Sequence, residues 1–275
     1  MIPLGSQILM ALLPLGGYVA SLVEMYADES YGGDDKIGPL CLAMYLYERD
    51  QALVATQEWV SVLNDPELPR PLPYFRMSDC AHGVGVFEGM EDHCDRIARK
   101  MIPIARSRSI VSFAATVDQG EYAQIIPRSK GYPNPYTFLA QMFLGFVKRW
   151  IKATNFDGGI LYNFEAGHKH RADANRLMNE VRDTMKLSHR YAGHAFVEKE
   201  DMPLLQSADL IAWHSFTDFK RRARQQGMRQ DYMALVRPQD KTQTWTADRL
   251  RQALPKIREY DQLGDAAEAA TGRPR

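Results

Sequence analysis

Leu22-Val23-Glu24-Met25-Tyr26-Ala27-Asp28-Glu29-Ser30 is the stretch whose reading decides the fold. β-Branched and aromatic residues favour a pleat, and Tyr31-Gly32-Gly33-Asp34-Asp35 supplies a turn directly afterwards, so a first strand is expected here, ending in two acids. Side chains alternate along a strand, which puts Tyr26 and Asp28 on one face and Ala27 and Glu29 on the other. Asp28 is the acid expected to aim at a shared site, because Glu29 begins the turn. Acids before Gly-Gly are also ordinary turn chemistry, and for this stretch alone that reading is the stronger.

Outward from this strand, residues 38–47 form a continuous apolar run of strand length, expected to be buried on both faces. A helix is expected over 49–64, with Leu53, Val54, Trp59, Val60 and Leu63 roughly at helical spacing and Asp65-Pro66 as its stop. Tyr74-Phe75-Arg76-Met77-Ser78 reads as a short strand. Gly83-Val84-Gly85-Val86-Phe87-Glu88-Gly89 has neither the spacing nor the preceding strand of a dinucleotide loop, and reads as a flexible loop. A helix over 92–106 turns Ile97, Met101 and Ile104 inward, and a strand over 110–117 follows, ending at Asp118. Asn134-Pro135 is a cap and first-turn proline for an apolar, central helix over 136–153.

After the turn Asn155-Phe156-Asp157-Gly158-Gly159, the strand 160–165 again ends in an acid, with Asn163 and Glu165 on one face. A basic loop, His168-Lys169-His170-Arg171, leads into a helix over 172–186. A short strand over 192–198 and a helix from Pro203 to about Arg224 complete the pattern. The expected organisation is an apolar leader over 1–21, one large α/β domain over 22–230, and a helical extension with a polar tail over 231–275.

The 275 residues, 45% hydrophobic and 25% charged, suit a globular protein that needs no disulfide or structural metal for its core. With 34 basic and 34 acidic residues, no global field draws the chain to nucleic acid or membrane; such binding would need local patches. The first Lys or Arg is Lys36, so the leader lacks a secretory n-region, and Pro14, Gly16 and Gly17 interrupt it too early for a membrane span. It reads as a helical or disordered leader or a start assigned too early, with a signal peptide the lesser alternative. Cys41, Cys80 and Cys94 contain no C-x-x-C and are expected as reduced thiols in a cytoplasmic protein. Cys80, His82, His93 and Cys94 match no usual zinc spacing.

The chemistry centres on acids. In Pro203-Leu204-Leu205-Gln206-Ser207-Ala208-Asp209-Leu210-Ile211-Ala212-Trp213, Asp209 sits within an apolar stripe, and Gln206 lies one turn earlier on the same face. A carboxylate there needs a partner. Asp28, Glu165 and Asp209, from three separated segments, suit a hard divalent cation such as Mg²⁺ or Mn²⁺, with Glu29 and Asp118 as reserve ligands. Two such ions can activate a water and stabilise the leaving oxygen of a phosphodiester. His168 to Arg171 can position phosphates, with His168 a candidate proton donor. Lys220 to Arg224 read better as solvated cations at a helix C-terminus. Nucleophile-elbow, phosphate-loop and zinc-protease motifs are absent, and no organic cofactor is indicated.

Asp28-Glu29-Ser30 at the end of a first strand, with Gln206-x-x-Asp209 on a late helix, resembles the uncharacterised family known as domain of unknown function 3800. The resemblance runs from about Tyr26 to Arg222. Here Ser30-Tyr31-Gly32-Gly33 stands where members often have Ser-Gly directly. It implies a ribonuclease H-like α/β fold, a mixed sheet flanked by helices whose acids bind divalent metal. Asp28 would be the central-strand acid, Glu165 a later strand-end acid and Asp209 the acid of the closing helix. The functional expectation is a nuclease-like, metal-dependent hydrolase of nucleic-acid phosphodiesters. In it Asp28, Glu165, Asp209 and Gln206 form the catalytic set, and Asn163 and 168–171 touch substrate. The alternative is a non-catalytic nucleic-acid-binding or adaptor protein of the same fold, in host defence or a mobile element.

Overall fold

The computed structural model describes residues 21–32, 38–127, 132–167 and 169–257. Six strands form one sheet: β1 (Leu22–Tyr31), β2 (Pro39–Glu48), β3 (Val111–Asp118), β4 (Gly159–Glu165), β5 (Tyr191–Val197) and β6 (Lys241–Trp245). Their order is β5-β4-β1-β2-β3-β6. β1, β2 and β3 form an antiparallel meander, while β4 and β5 continue the other side of β1 in parallel. This is the strand arrangement of the ribonuclease H-like α/β fold, a mixed sheet flanked by helices. Gly158 permits the pairing of β4 with β1, since a Cβ there would run into the Ser21 carbonyl.

Alternation then sorts the core into two layers. Val23, Met25 and Ala27 of β1 and Leu40, Leu42, Met44 and Leu46 of β2 face α5 (Pro135–Thr154) and α6 (Arg171–Thr184). Tyr26 of β1 and Cys41, Ala43, Tyr45 and Tyr47 of β2 face α1 (Arg49–Leu63), α3 (Glu91–Arg108) and α7 (Leu205–Ala223). β2 is therefore buried on both faces, as its unbroken apolar run implies. Asn134 caps α5 by accepting a hydrogen bond from Thr137 N at 2.8 Å, ahead of Pro135, as its sequence announces.

Several expectations are corrected. Residues 74–76 form no strand, and Met77–His82 is a short helix, α2. The Phe75 and Met77 amides are taken by Gln206 and Asp209 of α7, so this segment ties to a helix and not to the sheet. Of the apolar residues at helical spacing in α1, Trp59 and Leu63 are buried together with Ala52 and Ala55, whereas Leu53 and Val60 are exposed. Two further helices are α4 (Gln119–Ile125) and α8 (Gln230–Leu235). Asp118, a reserve ligand in the sequence reading, instead caps α4, accepting from Glu121 N at 2.9 Å. Residues 231–257, expected to be helical, also supply β6, which pairs with β3, and a helix over 247–257 whose Leu250 is buried. Cys80 and Cys94, expected as thiols, are joined in a disulfide (Cα–Cα 5.5 Å), while Cys41 is free and buried. Left-handed Gly83 and Gly85 fold α3 back towards α2, which sequence spacing alone does not disclose. The leader lies outside the described residues, save Ser21. Among the described residues no helix is long and apolar enough to cross a membrane.

Candidate functional site

Parallel pairing sets Tyr26 beside Asn163 and Ala27 beside Phe164, so Glu165, the last residue of β4, follows as a neighbour of Asp28, which lies inside β1 because that strand runs on to Tyr31 and does not end at the acids as expected. α7 crosses the same face and contributes Asp209. The three carboxylates converge, and at their centre stands the ammonium of Lys199. Its Nζ lies 2.8 Å from Asp28 Oδ2, 3.0 Å from Asp209 Oδ1 and 3.3 Å from Glu165 Oε1. The Lys199 side chain is 4% exposed. The contact to Asp28 Oδ2 is an ion pair without hydrogen-bond alignment.

The surrounding polar groups fix this geometry. Asp209 Oδ2 accepts from Met77 N at 2.6 Å. Gln206 is fully engaged: its Oε1 accepts from Trp59 Nε1 at 2.8 Å and Phe75 N at 2.9 Å, and its Nε2 donates to the Lys199 carbonyl at 2.8 Å. Gln206 therefore positions the Lys199 backbone and the 75–77 segment. Asp28 Oδ1 accepts from Glu29 N at 2.9 Å. From the solvent side, Arg76 Nη2 reaches Glu165 Oε1 at 3.3 Å, with its side chain 43% exposed.

Acids crowd this site, and their protonation states reflect it. Burial pushes the Asp28 carboxyl well above the usual range; Lys199 opposes this, while Glu165, Asp209 and Glu29 add to it. Burial, then Glu165, raises Glu29 to about 8 against the pull of Lys199 and Lys169. Burial also pushes Glu165 up, but Lys199, a hydrogen bond with Asp28 and Arg76 outweigh it and hold this carboxyl below its ordinary value. Burial alone would lower Lys199; Asp209, Asp28 and Glu165 outweigh it and raise it. The three acids thus favour the charged form of the ammonium.

Of the expected site residues, Asp28, Glu165, Asp209 and Gln206 are brought together. Glu29 lies within β1, opposite Leu42, and not in the turn. It is buried at the margin of the cluster. Asn163 is buried on β4 two residues before Glu165, paired in register with Tyr26 of β1. Lys169 lies over the Tyr31 ring at 4.4 Å, His170 stacks on Tyr136 at 4.6 Å, and Arg171 lies over Phe196 at 5.3 Å. His168 lies outside the described residues. Arg222 pairs with Asp218, and Arg221 donates to the Gly227 carbonyl, so these cations serve the end of α7.

Lys199 and Arg76 were missed in the sequence. Lys199 sits in Glu198-Lys199-Glu200-Asp201, which reads as a solvated charge run. The signal that could have found it was alternation carried past β5: Val197 packs on the α7 face, and Lys199 is the next residue in that phase.

Three carboxylate oxygens directed at one point are the donors a hard divalent cation takes, so the donor set fits Mg²⁺ or Mn²⁺ in kind. The point itself holds the ammonium. Among the described residues no group of three His, Cys, Asp or Glu side chains is spaced to hold a metal ion as it stands.

No protein-family model matches the chain, and no curated protein matches it. Among solved structures it is similar to Bst-RNase HIII in complex with Mn²⁺, with a TM-score of 0.41 and 16% identity over 76% of this chain and 57% of that one. A glutamine-to-alanine mutant of Bst-RNase HIII gives 0.40 and 15% over 76% and 56%. The chain spans little more than half the length of either. Overlap at this level assigns no residue and no reaction.

Proposed function

We propose that this chain is a nuclease-like hydrolase of nucleic-acid phosphodiesters, a member of the family known as domain of unknown function 3800, with Mg²⁺ or Mn²⁺ as its cofactor. The observation that carries the reading is the convergence of Asp28, Glu165 and Asp209, from two adjoining strands and a helix, on one point. These three would hold the ion, with Glu29 at the margin. A divalent ion there supplies an activated water and stabilisation of the leaving oxygen. Arg76, exposed beside Glu165, and Lys169 and Arg171 along the adjoining loop would bind the phosphate backbone. Gln206 keeps Asp209's surroundings and the Lys199 backbone in place.

One observation favours a second reading. Lys199 already neutralises part of the cluster, and an acid cluster served by its own lysine suits a non-catalytic nucleic-acid-binding or adaptor protein. Incubation of labelled DNA and RNA with the full chain and Mn²⁺ separates the two. Cleavage should fall by about a hundredfold or more in Asp28→Ala and Asp209→Asn, as expected when charge stabilisation is removed from a reaction centre. Cleavage that survives both substitutions removes the proposed site, and binding without cleavage of any substrate favours the second reading.

A further inference from the structure

We infer that Lys199 is the resident cation of the carboxylate cluster and that a divalent ion can bind only by exchanging places with its ammonium, so that Lys199 sets the metal affinity of the site. This rests on reading the cluster as a divalent-ion site. The ammonium stands 2.8–3.3 Å from one oxygen of each of the three carboxylates. A Mg²⁺ ion sharing those oxygens at about 2.1 Å would occupy the same volume, and two cations in one desolvated volume repel. Exchange requires the ammonium to leave.

The chain around Lys199 confines that movement to the side chain. Its carbonyl accepts from Gln206 Nε2 at 2.8 Å, and the Asp201 and Met202 amides close a turn on the Glu198 carbonyl at 3.2 and 3.1 Å. With the main chain pinned, the four-carbon stem and its rotatable bonds are the part that must swing for the ammonium to leave. The charge balance also favours exchange. Asp28, Glu165 and Asp209 share the single charge of Lys199 at their centre, and Arg76 meets Glu165 only from the exposed side. Replacing a single positive charge by a double one answers that deficit.

The test uses the full chain. Mn²⁺ affinity is measured by electron paramagnetic resonance for the wild type, Lys199→Met and Lys199→Arg, with folding checked by circular dichroism. Lys199→Met should bind Mn²⁺ about tenfold more tightly or better, and Lys199→Arg no more tightly than the wild type. A folded Lys199→Met with wild-type affinity overturns the exchange alone. Absence of Mn²⁺ binding by both wild type and Lys199→Met strikes the divalent-ion reading beneath it. Should Lys199→Met fail to fold, acetylation of the wild type read by mass spectrometry decides. Lys199 should be protected without metal and become reactive at saturating Mn²⁺, while Lys152 and Lys241 keep their rates. Lys199 that stays protected with Mn²⁺ bound overturns the exchange.

Discussion

Among the described residues, the ion cluster of Arg237 with Asp240 and that around Lys199, both buried, differ in how completely charge and hydrogen bonds are matched. Between the end of α3 and β6, Asp240 accepts from Ser112 N and Arg237 Nη2 on one oxygen, and from Arg237 N and Nε on the other, all at 2.7–3.0 Å. Arg237 uses its remaining N–H groups on the Arg106 and Ser109 carbonyls and on Ser109 Oγ. One cation meets one anion, and every guanidinium donor has an acceptor. Around Lys199, three carboxyls crowd one ammonium, and the Asp28 and Glu29 carboxyls are raised by burial and by their acidic neighbours. The first cluster ties the chain together; the second keeps unsatisfied capacity for a cation. A buried polar group marks function where its neighbours leave it incompletely matched.

The largest expected effect tests the closed cluster. Arg237→Ala removes one partner of a buried pair and leaves Asp240 charged and buried, which costs about 3–5 kcal/mol of stability in urea unfolding. Mn²⁺ affinity of the protein that remains folded should be unchanged. A loss below about 1 kcal/mol would show that water reaches Asp240, and the contrast between the clusters would weaken.

The open cluster should instead reveal itself through pH. Glu29, raised from its ordinary 4.5 to about 8 chiefly by burial and next by Glu165, holds its proton more tightly in the folded chain than in the unfolded one. Its contribution to stability is therefore complete below 4.5 and is lost as pH rises through about 8. Asp28, also raised, acts with the same sign. Urea unfolding between about pH 5 and 8 should show stability falling by about 1 kcal/mol per unit, and Glu29→Gln should flatten that slope. A slope unchanged by Glu29→Gln would mean that this carboxyl is ionised throughout.

The contrast also explains what could be read in the chain beforehand. Asp28 and Glu165 were legible because strand alternation fixes the face on which each points, and Asp209 because it interrupts an apolar stripe; that β1 runs three residues past Asp28 was not. Lys199 was not, since a lysine between acids looks solvated until three other segments are placed around it. Arg76 was hidden because Tyr74-Phe75 has strand propensity, and only the side chains of Gln206 and Asp209, distant in sequence, claim its neighbours' amides. β6, Lys-Thr-Gln-Thr-Trp, carries little apolar pattern of its own and is a strand because β3 offers it an edge. In α1 apolar residues occur on more than one side, so propensity gave the helix while packing chose the face.

The smallest effect on stability should come from Arg76, which reaches the open cluster from solvent. An ion pair with a 43% exposed partner is screened, so Arg76→Ala should alter unfolding stability by less than about 1 kcal/mol. Its effect should appear in nucleic-acid binding. A guanidinium at the mouth of the cluster that neutralises a phosphate releases a counterion. Its removal should then lower affinity for DNA or RNA uniformly across sequences and reduce the slope of log affinity against log salt by about one. The opposite pairing of results, a large loss of stability with an unchanged salt slope, would place Arg76 with Arg237 as a structural cation. The guanidinium beside Glu165 would then be part of the scaffold, and the solvent side of the cluster would lose the cation proposed to meet a phosphate.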